Sequence, residues 1–296
     1  MVFNTETLAL KGGTALNLFV QDLPRLSVDL DVAVVDHAST RDEALRLISD
    51  EISRISAHCE SRGLKTQTVR TKTGDELKIW ISNEKTSVKV EVNYVFRGTV
   101  LPITVCELSK RTRELFSKNL GVPVLDRDEL YGSKLVAAMD RQHPRDLFDV
   151  MHMLKSDGLN TRTLDCLCIY LAGHNRPIHE VLFHTQKIID DIFNLEFLGM
   201  TSEQVHLDDL KEVQAFLSKM PQALHDNHKA FLLSVTRTEP DWEQLPYAHV
   251  ASLPAIRWKL ENLRKLRVRN PSKFHLQHDE LLRRFGCNQP PQSQPS

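Results

Sequence analysis

The sequence predicts an α+β fold in two parts, with a strand-rich stretch over residues 1–124 and a helical stretch over 125–286. Three observations lead there. Short runs that alternate apolar and polar residues dominate the first part. From about residue 125 the apolar period changes to the three-to-four spacing of helices. The composition, 41% hydrophobic and 26% charged over 296 residues, is that of a chain able to bury a sizeable core. Residues 287–296 have no apolar content beyond Cys287 and read as a disordered tail.

Taken in order, Leu8–Lys11 reads as a short strand that ends at Gly12-Gly13. Thr14–Gln21 reads as a short helix with Thr14 as its N-cap, and Asp22-Leu23-Pro24 as a turn. Ser27–Val35 alternates, with Val28, Leu30, Val32 and Val34 on one face and Ser27, Asp29, Asp31 and Ala33 on the other. Thr40–Glu60 carries Leu45, Ile48, Ile52 and Ile55 on one helical stripe. Leu77–Ile81 and Val88–Phe96 read as strands paired through the Ser82–Ser87 connection, and Leu101–Cys106 as another strand. Asp126-x-x-Glu129 resembles a capping box opening a helix that runs through Lys134 to about Arg141. Pro144 suits the first turn of the next helix, in which Leu147, Val150, Met151 and Leu154 form a stripe. The remainder to about residue 285 reads as helical, broken near Gly158, Pro177, Pro221, Pro240 and Pro254.

Several classes are excluded or disfavoured. With 38 Lys+Arg against 39 Asp+Glu, the chain as a whole is not a polycation, so any nucleic-acid surface must be local. No apolar run approaches the roughly 20 residues that span a bilayer, so no membrane partner is expected. The five cysteines form no CxxC pair, and their odd number fits free thiols in a reducing cytoplasm better than a disulfide scaffold. The first strand-like run follows Met1 almost at once, which raises the expectation of a further segment upstream.

Three features carry chemistry. Asp29 and Asp31, two apart on a strand, point the same way with Cα atoms about 6–7 Å apart. Two carboxylates brought to about 4 Å repel by roughly 4 kcal/mol at an effective dielectric near 20, and a divalent cation between them reverses the sign. Hard oxygen ligands in small number suit Mg²⁺ (or Mn²⁺), which takes its remaining ligands from water and substrate phosphates. Gly12 and Gly13, between a strand and a helix N-terminus, let a phosphate approach backbone N–H groups, and the Thr14 hydroxyl stands beside them. Glu91 shares a strand face with Lys89 and Asn93, so it completes a carboxylate triad if its strand lies beside Ser27–Val35. Three acids suit two-metal chemistry. Each feature alone also fits a solvated strand face or an ordinary turn.

Together they form a recognisable pattern. Leu10-Lys11-Gly12-Gly13-Thr14-Ala15-Leu16, followed by Arg25-Leu26-Ser27-Val28-Asp29-Leu30-Asp31, resembles the AbiEii/AbiGii-type abortive-infection toxins. Val88-Lys89-Val90-Glu91-Val92 resembles the strand of the third acid. The run Lys134-Leu135-x-Ala137-x-x-x-Arg141-x-x-x-Arg145-Asp146-Leu147-x-Asp149 resembles the family's Lys and Asp motifs. Pro240-Asp241-Trp242 and Leu253-Pro254-Ala255-x-Arg257-Trp258-Lys259-x-x-Asn262-Leu263 resemble its C-terminal signature. The resemblance spans roughly residues 8–265. It implies a polymerase-β-like nucleotidyltransferase sheet with flanking helices, a nucleoside triphosphate substrate, and metal on Asp29, Asp31 and Glu91. It implies a nucleotide site at Gly12, Gly13, Thr14, Arg25, Ser27 and Lys134. Lys134 and Asp146 are then active-site residues, and Asp149 a structural one. It further implies the toxin of a toxin–antitoxin pair in antiviral defence, with a possible cognate antitoxin and an RNA acceptor such as the tRNA 3′ end.

The residues by themselves leave alternatives open. Lys134 interrupts a small and apolar helical stripe with Leu130, Ala137 and Ala138, which suits either a lysine reaching into a cleft or one snorkelling to water. A nucleotide-binding module without catalysis, or nucleotidylation of protein hydroxyls, would use the same fold. His225-x-x-His228 and His275-x-x-His278 have metal-compatible spacing but no evident third ligand, so surface histidines are expected. Cys166 and Cys168 read as core. Residues 257–284 hold nine basic and three acidic residues, which suits an RNA-tracking face or a solvated helix face.

Overall fold

A computed structural model of the protein describes residues 2, 3, 5, 7–27, 29–70, 76–93 and 96–286. Its centre is a seven-stranded mixed sheet of order β3-β4-β5-β2-β1-β7-β6. The strands are β1 (Leu8–Lys11), β2 (Leu30–Val34), β3 (Lys65–Arg70), β4 (Glu76–Ser82), β5 (Ser87–Asn93), β6 (Thr104–Glu107) and β7 (Gly121–Val124). β1 runs antiparallel to β2 and parallel to β7, while β2 runs parallel to β5. The β4–β5 hairpin closes at Ser82 and Ser87, as the alternation predicts.

The two faces of the sheet are covered by different helices. Leu8, Val32, Val34, Leu77, Ile79, Val90 and Val92 pack on Ile48, Ile52 and Ile55 of α2 (Arg41–Glu60). Fully burying each such side chain contributes about 1.5–3 kcal/mol. Thr40 caps α2 in a closed capping box with Glu43, which fixes where the helix begins. Ala9, Leu10, Ala33 and Val124 belong to a second cluster on the other face, continuous with the apolar sides of the helices that follow. The helices after α2 are α3 (Lys110–Phe116), α4 (Arg127–Arg141), α5 (Pro144–Ser156), α6 (Thr161–Gly173), α7 (Ile178–Leu182), α8 (Asp190–Ile192), α9 (Leu207–Ser218), α10 (Met220–Ala223), α11 (Asp226–Thr236), α12 (Pro254–Arg269) and α13 (Pro271–Arg284), of which α3 and α8 lie outside this cluster.

Several local expectations are corrected. The first helix, α1 (Gly12–Ala15), begins directly at the glycines with Lys11 as N-cap, and continues as a π-helical turn over Leu16–Val20. Thr14 therefore lies inside the helix and caps nothing. β2 starts at Leu30 rather than Ser27, and Val28 lies outside the described residues. β5 ends at Asn93, with Tyr94 and Val95 outside the described residues. The strand expected from Leu101 begins only at Thr104, because the Val100 and Leu101 N–H groups are taken by a Glu129 carboxylate oxygen, each at 3.0 Å. Glu129 consequently does not complete a capping box. Asp126 caps α4 alone through the Asp128 N–H, and burial raises the Glu129 carboxyl to about 7. β3, α3 and β7 have no counterpart in the sequence reading. His228 and His278 are buried rather than on the surface, bonded to Asp165 and Thr236 at 2.8 Å each. Cys166 and Cys168 are core residues as expected. Cys287 and the rest of 287–296 lie outside the described residues.

Candidate active site

The register of the sheet brings the sequence-derived acids together. Asp31 of β2 is the direct neighbour of Glu91 on β5 and of Lys11 on β1. Asp31 shares its face with Ala33, opposite the α2 layer, so the acids face the side on which the second group of helices packs. Asp29 precedes β2, two residues before Asp31.

Gly12 sits where the chain leaves β1 at φ +72°, a conformation that favours glycine. A Cβ there would lie 2.5 Å from the Asp31 carboxylate. The missing side chain is therefore what lets Asp31 lie against the turn. At Gly13 a Cβ would meet the Arg25 guanidinium at 2.8 Å and the Ser27 hydroxyl at 3.1 Å. Thr14 joins the loop to the acids. Its hydroxyl donates to the Asp29 carbonyl and lies 2.9 Å from the Ser27 hydroxyl.

Charge at the acids is unevenly compensated. Lys89 bridges Asp29 and Glu91 at 3.1 and 2.9 Å, and Lys78 reaches Glu91 at 3.0 Å. Burial works against ionising Glu91, but the two lysines outweigh it and hold its carboxyl below the ordinary range. Asp31 goes the other way. Burial raises its carboxyl and Glu91 adds to this, while Lys11 and Lys134 only partly oppose it. The sequence reading placed Lys89 on the same face as Glu91 but gave it no role, and missed Lys78. Both were countable, since a hairpin closed at Ser82 and Ser87 sets Lys78 opposite Glu91.

Behind the glycine turn lies a buried ionic chain. Lys134 of α4 bonds Asp146 at 2.8 Å and Asp149 at 3.0 Å, both on α5. Asp146 also meets Arg141 at 2.8 Å. Asp149 is gripped by two Arg25 nitrogens at 2.7 Å each, a fork geometry that fits a carboxylate. Asn17 links the Gly13 carbonyl, at 2.8 Å, to Asp149, at 3.3 Å. Burial disfavours every charge in this chain. The mutual attraction exceeds it, so the Lys134 ammonium is held above its ordinary pKa and the Asp146 and Asp149 carboxyls below theirs. Arg25 directs its Nε and Nη2 at Asp149 and its Nη1 at the Leu26 carbonyl.

Among the described residues, no three His, Cys, Asp or Glu side chains converge as a ready-made metal cage. Mg²⁺ does not need one, since it commonly takes one or two carboxylates and completes its shell with water and substrate phosphates. The hard oxygens of Asp29, Asp31 and Glu91, with a lysine already bridging two of them, have the chemistry of such a site.

A family model for the nucleotidyl transferase AbiEii toxins of type IV toxin–antitoxin systems matches residues 2–262. The chain belongs to the AbiEii family. This AbiEii chain is a nucleotidyltransferase toxin by family, and membership implies a nucleoside triphosphate substrate and a cognate antitoxin. Among solved structures it is similar to MenT4, a nucleotidyltransferase toxin from Mycobacterium tuberculosis H37Rv. The TM-score is 0.57 at 17% identity, over 86% of each chain, which establishes a shared α+β fold. No curated protein sequence matches the chain. Among the described residues no helix is long and apolar enough to cross a membrane.

Proposed function

We propose that this AbiEii protein transfers a nucleoside monophosphate from a nucleoside triphosphate to RNA at the 3′ end of tRNA, in the cytoplasm, as part of an antiviral abortive-infection response. The observation that carries this reading is the adjacency of Asp31 and Glu91 on parallel strands, with Asp31 seated against the Gly12 turn. The region 1–124 holds the acids and the phosphate turn, and the helical region 125–286 contributes Lys134 and Asp146 to the same cleft.

The acceptor hydroxyl attacks the α-phosphorus, the bond from that phosphorus to the β-phosphate bridging oxygen breaks, and pyrophosphate leaves. Gly12, Gly13 and Thr14 receive the triphosphate at the start of α1. Asp29 and Asp31 would hold Mg²⁺, and Glu91 would assist as a ligand or as the base that takes the acceptor proton. When bound, the metal supplies positive charge to the phosphates and acidifies the attacking hydroxyl. Lys89 bridges Asp29 and Glu91, where it neutralises charge that a bound metal would otherwise neutralise. Lys134 faces the developing phosphate charge, and Asp146 orients it through the 2.8 Å bond. Arg25 and Ser27 act from behind the turn, holding Gly13 and Thr14 in place.

The test is incubation of the protein with labelled nucleoside triphosphates, Mg²⁺ and total tRNA, beside a parallel reaction with protein lysate. Label is expected on tRNA, and lost in Asp29→Asn and Asp31→Asn, which should remain folded. Asp31→Asn should melt slightly higher, because it removes a half-buried carboxyl whose ionisation desolvation disfavours. Near wild-type turnover in either variant defeats the assignment. Label on protein alone moves the acceptor from RNA to protein hydroxyls.

A further inference from the structure

At the other end of β2, beyond Val34, a second cleft of about 780 Å³ opens between the start of α2 and the start of α12. Its wall is rich in arginine. Arg41 lines it from the start of α2, Arg97 from the segment after β5, and Arg257 and Arg264 from α12. Among the described residues none of the four makes an ion pair. Arg97 is the informative one. It is 7% exposed, its Nη1 makes one long bond of 3.4 Å to the Thr40 carbonyl, and its Nε has no hydrogen-bond partner among the described residues. A guanidinium buried with no carboxylate in direct contact is costly, and it marks a position where an anion completes the structure.

The surroundings repeat the signal. α12 begins at Pro254 on the cleft wall, and its first turn carries no acidic residue to neutralise the positive helix end. The one acid in the lining, Glu261, is engaged by Lys265 at 2.6 Å. Asp36 offsets part of the Arg97 charge from nearby, but its oxygens accept from the Ala38 and Ser39 N–H groups and make no ion pair with the guanidinium among the described residues. Two indoles complete the wall: Trp242, and Trp258, which is 54% exposed. These are the tryptophans of the two C-terminal sequence motifs, which the carboxylate site does not use.

We propose that this cleft is a second nucleotide site, one that holds a strand of RNA with a phosphate on Arg97 and a base stacked on Trp258. Arginine beside an exposed indole is the combination that binds single strands without base selection. A strand fits better than a free nucleotide because the charges are spread. Arg257 and Arg264 stand two turns apart on α12, about 10 Å along the axis, so separate phosphates are needed to meet both. The inference does not depend on the carboxylate chemistry, because Asp29 and Asp31 lie at the opposite end of β2.

Fluorescence anisotropy of the full chain with a labelled single-stranded oligoribonucleotide, titrated over a range of salt, tests it. Replacing both exposed arginines, Arg257→Gln with Arg264→Gln, should flatten the slope of log affinity against log salt by about 0.7 per arginine lost. Trp258→Ala should weaken binding on the order of tenfold and leave the slope alone. Asp31→Asn should bind RNA as the wild type does, so failure of the transfer chemistry is read separately from failure of this site. Arg97→Gln should follow the exposed pair, and because that pair sits on the helix surface the test survives if Arg97→Gln does not fold. An unchanged salt slope in the paired variant overturns the proposal. Displacement of the RNA by ATP, with the same dependence on Trp258, would make this a mononucleotide site and overturn the strand assignment. A polyglutamate peptide that bound as tightly and lost as much in Trp258→Ala would reassign it to an acidic protein segment.

Discussion

Gly12 and Asp31 act as one unit. The turn after β1 requires a positive φ, and the space a side chain would fill is taken by a carboxylate oxygen 2.5 Å from the ideal Cβ position. Gly12→Ala should therefore cost about 1–2 kcal/mol for the left-handed backbone alone. A further amount comes from pushing Asp31 aside, and the two are separable. In an Asp31→Ala background the clash is gone, so the Gly12→Ala penalty should fall back toward the backbone value. Thermal melts of the four proteins in this cycle measure the difference, and equal penalties in both backgrounds would mean that Asp31 does not depend on the turn. The single Gly12→Ala variant should also lose transfer, since the displaced carboxylate is the one set beside Glu91.

At the scale of elements, the chain Arg25–Asp149–Lys134–Asp146 ties the turn before β2 to α4 and α5. Removing one partner of a buried ion pair leaves the other charge uncompensated, at a cost of about 3–5 kcal/mol. Asp149→Ala, which leaves Arg25 without its carboxylate and Lys134 with Asp146 alone, should reach that range, whereas Asp29→Asn at the exposed end of the site should change stability little. The pH dependence has a definite sign. Asp146 and Asp149 titrate below their unfolded values, so their contribution is complete above about pH 4 and is lost as pH falls through the lower folded values. Lys134 titrates above its unfolded value, so its contribution is complete below about pH 10 and is lost as pH rises further. The stability gap between wild type and Asp149→Ala should thus be flat from pH 5 to 9 and close under acid, as read by denaturant titration at each pH. A gap that widened under acid would contradict the ionic reading. This network also marks how far the sequence was legible. Period and alternation located β1, α2, the β4–β5 hairpin, α4 and α5, because each has a one-sided apolar pattern. β3, with Lys65–Arg70 mostly polar, and the four-residue β7 have none, and only pairing with β4 and with β1 and β6 defines them. Asp31 beside Glu91 followed from strand faces. Arg25 reaching Asp149 did not, because 124 residues separate them and no local pattern encodes that approach.

The whole molecule is organised around a sheet with one apolar cluster on each face. The smaller cluster, between α2 and the sheet, is closed within residues 2–92. The larger one contains Ala9, Leu10, Ala15, Leu16 and Ala33 of the first part together with Leu130, Leu135, Phe148, Leu167 and Phe231 of the helices. Residues 1–124 and 125–286 therefore share a core. Two consequences can be measured. Unfolding of the full chain should be a single transition, with fluorescence and far-ultraviolet circular dichroism changing together. A fragment ending at residue 124 should fail to give that transition, for two reasons that add. It exposes the apolar face of β1 and α1, and it leaves Arg25 buried without Asp149. Arg25→Met in the fragment removes the second reason but not the first, so it should improve solubility without restoring cooperative unfolding. A fragment that melted cooperatively by itself would show that the α2 cluster is sufficient, and the two regions would then be independent folding units joined at the active site.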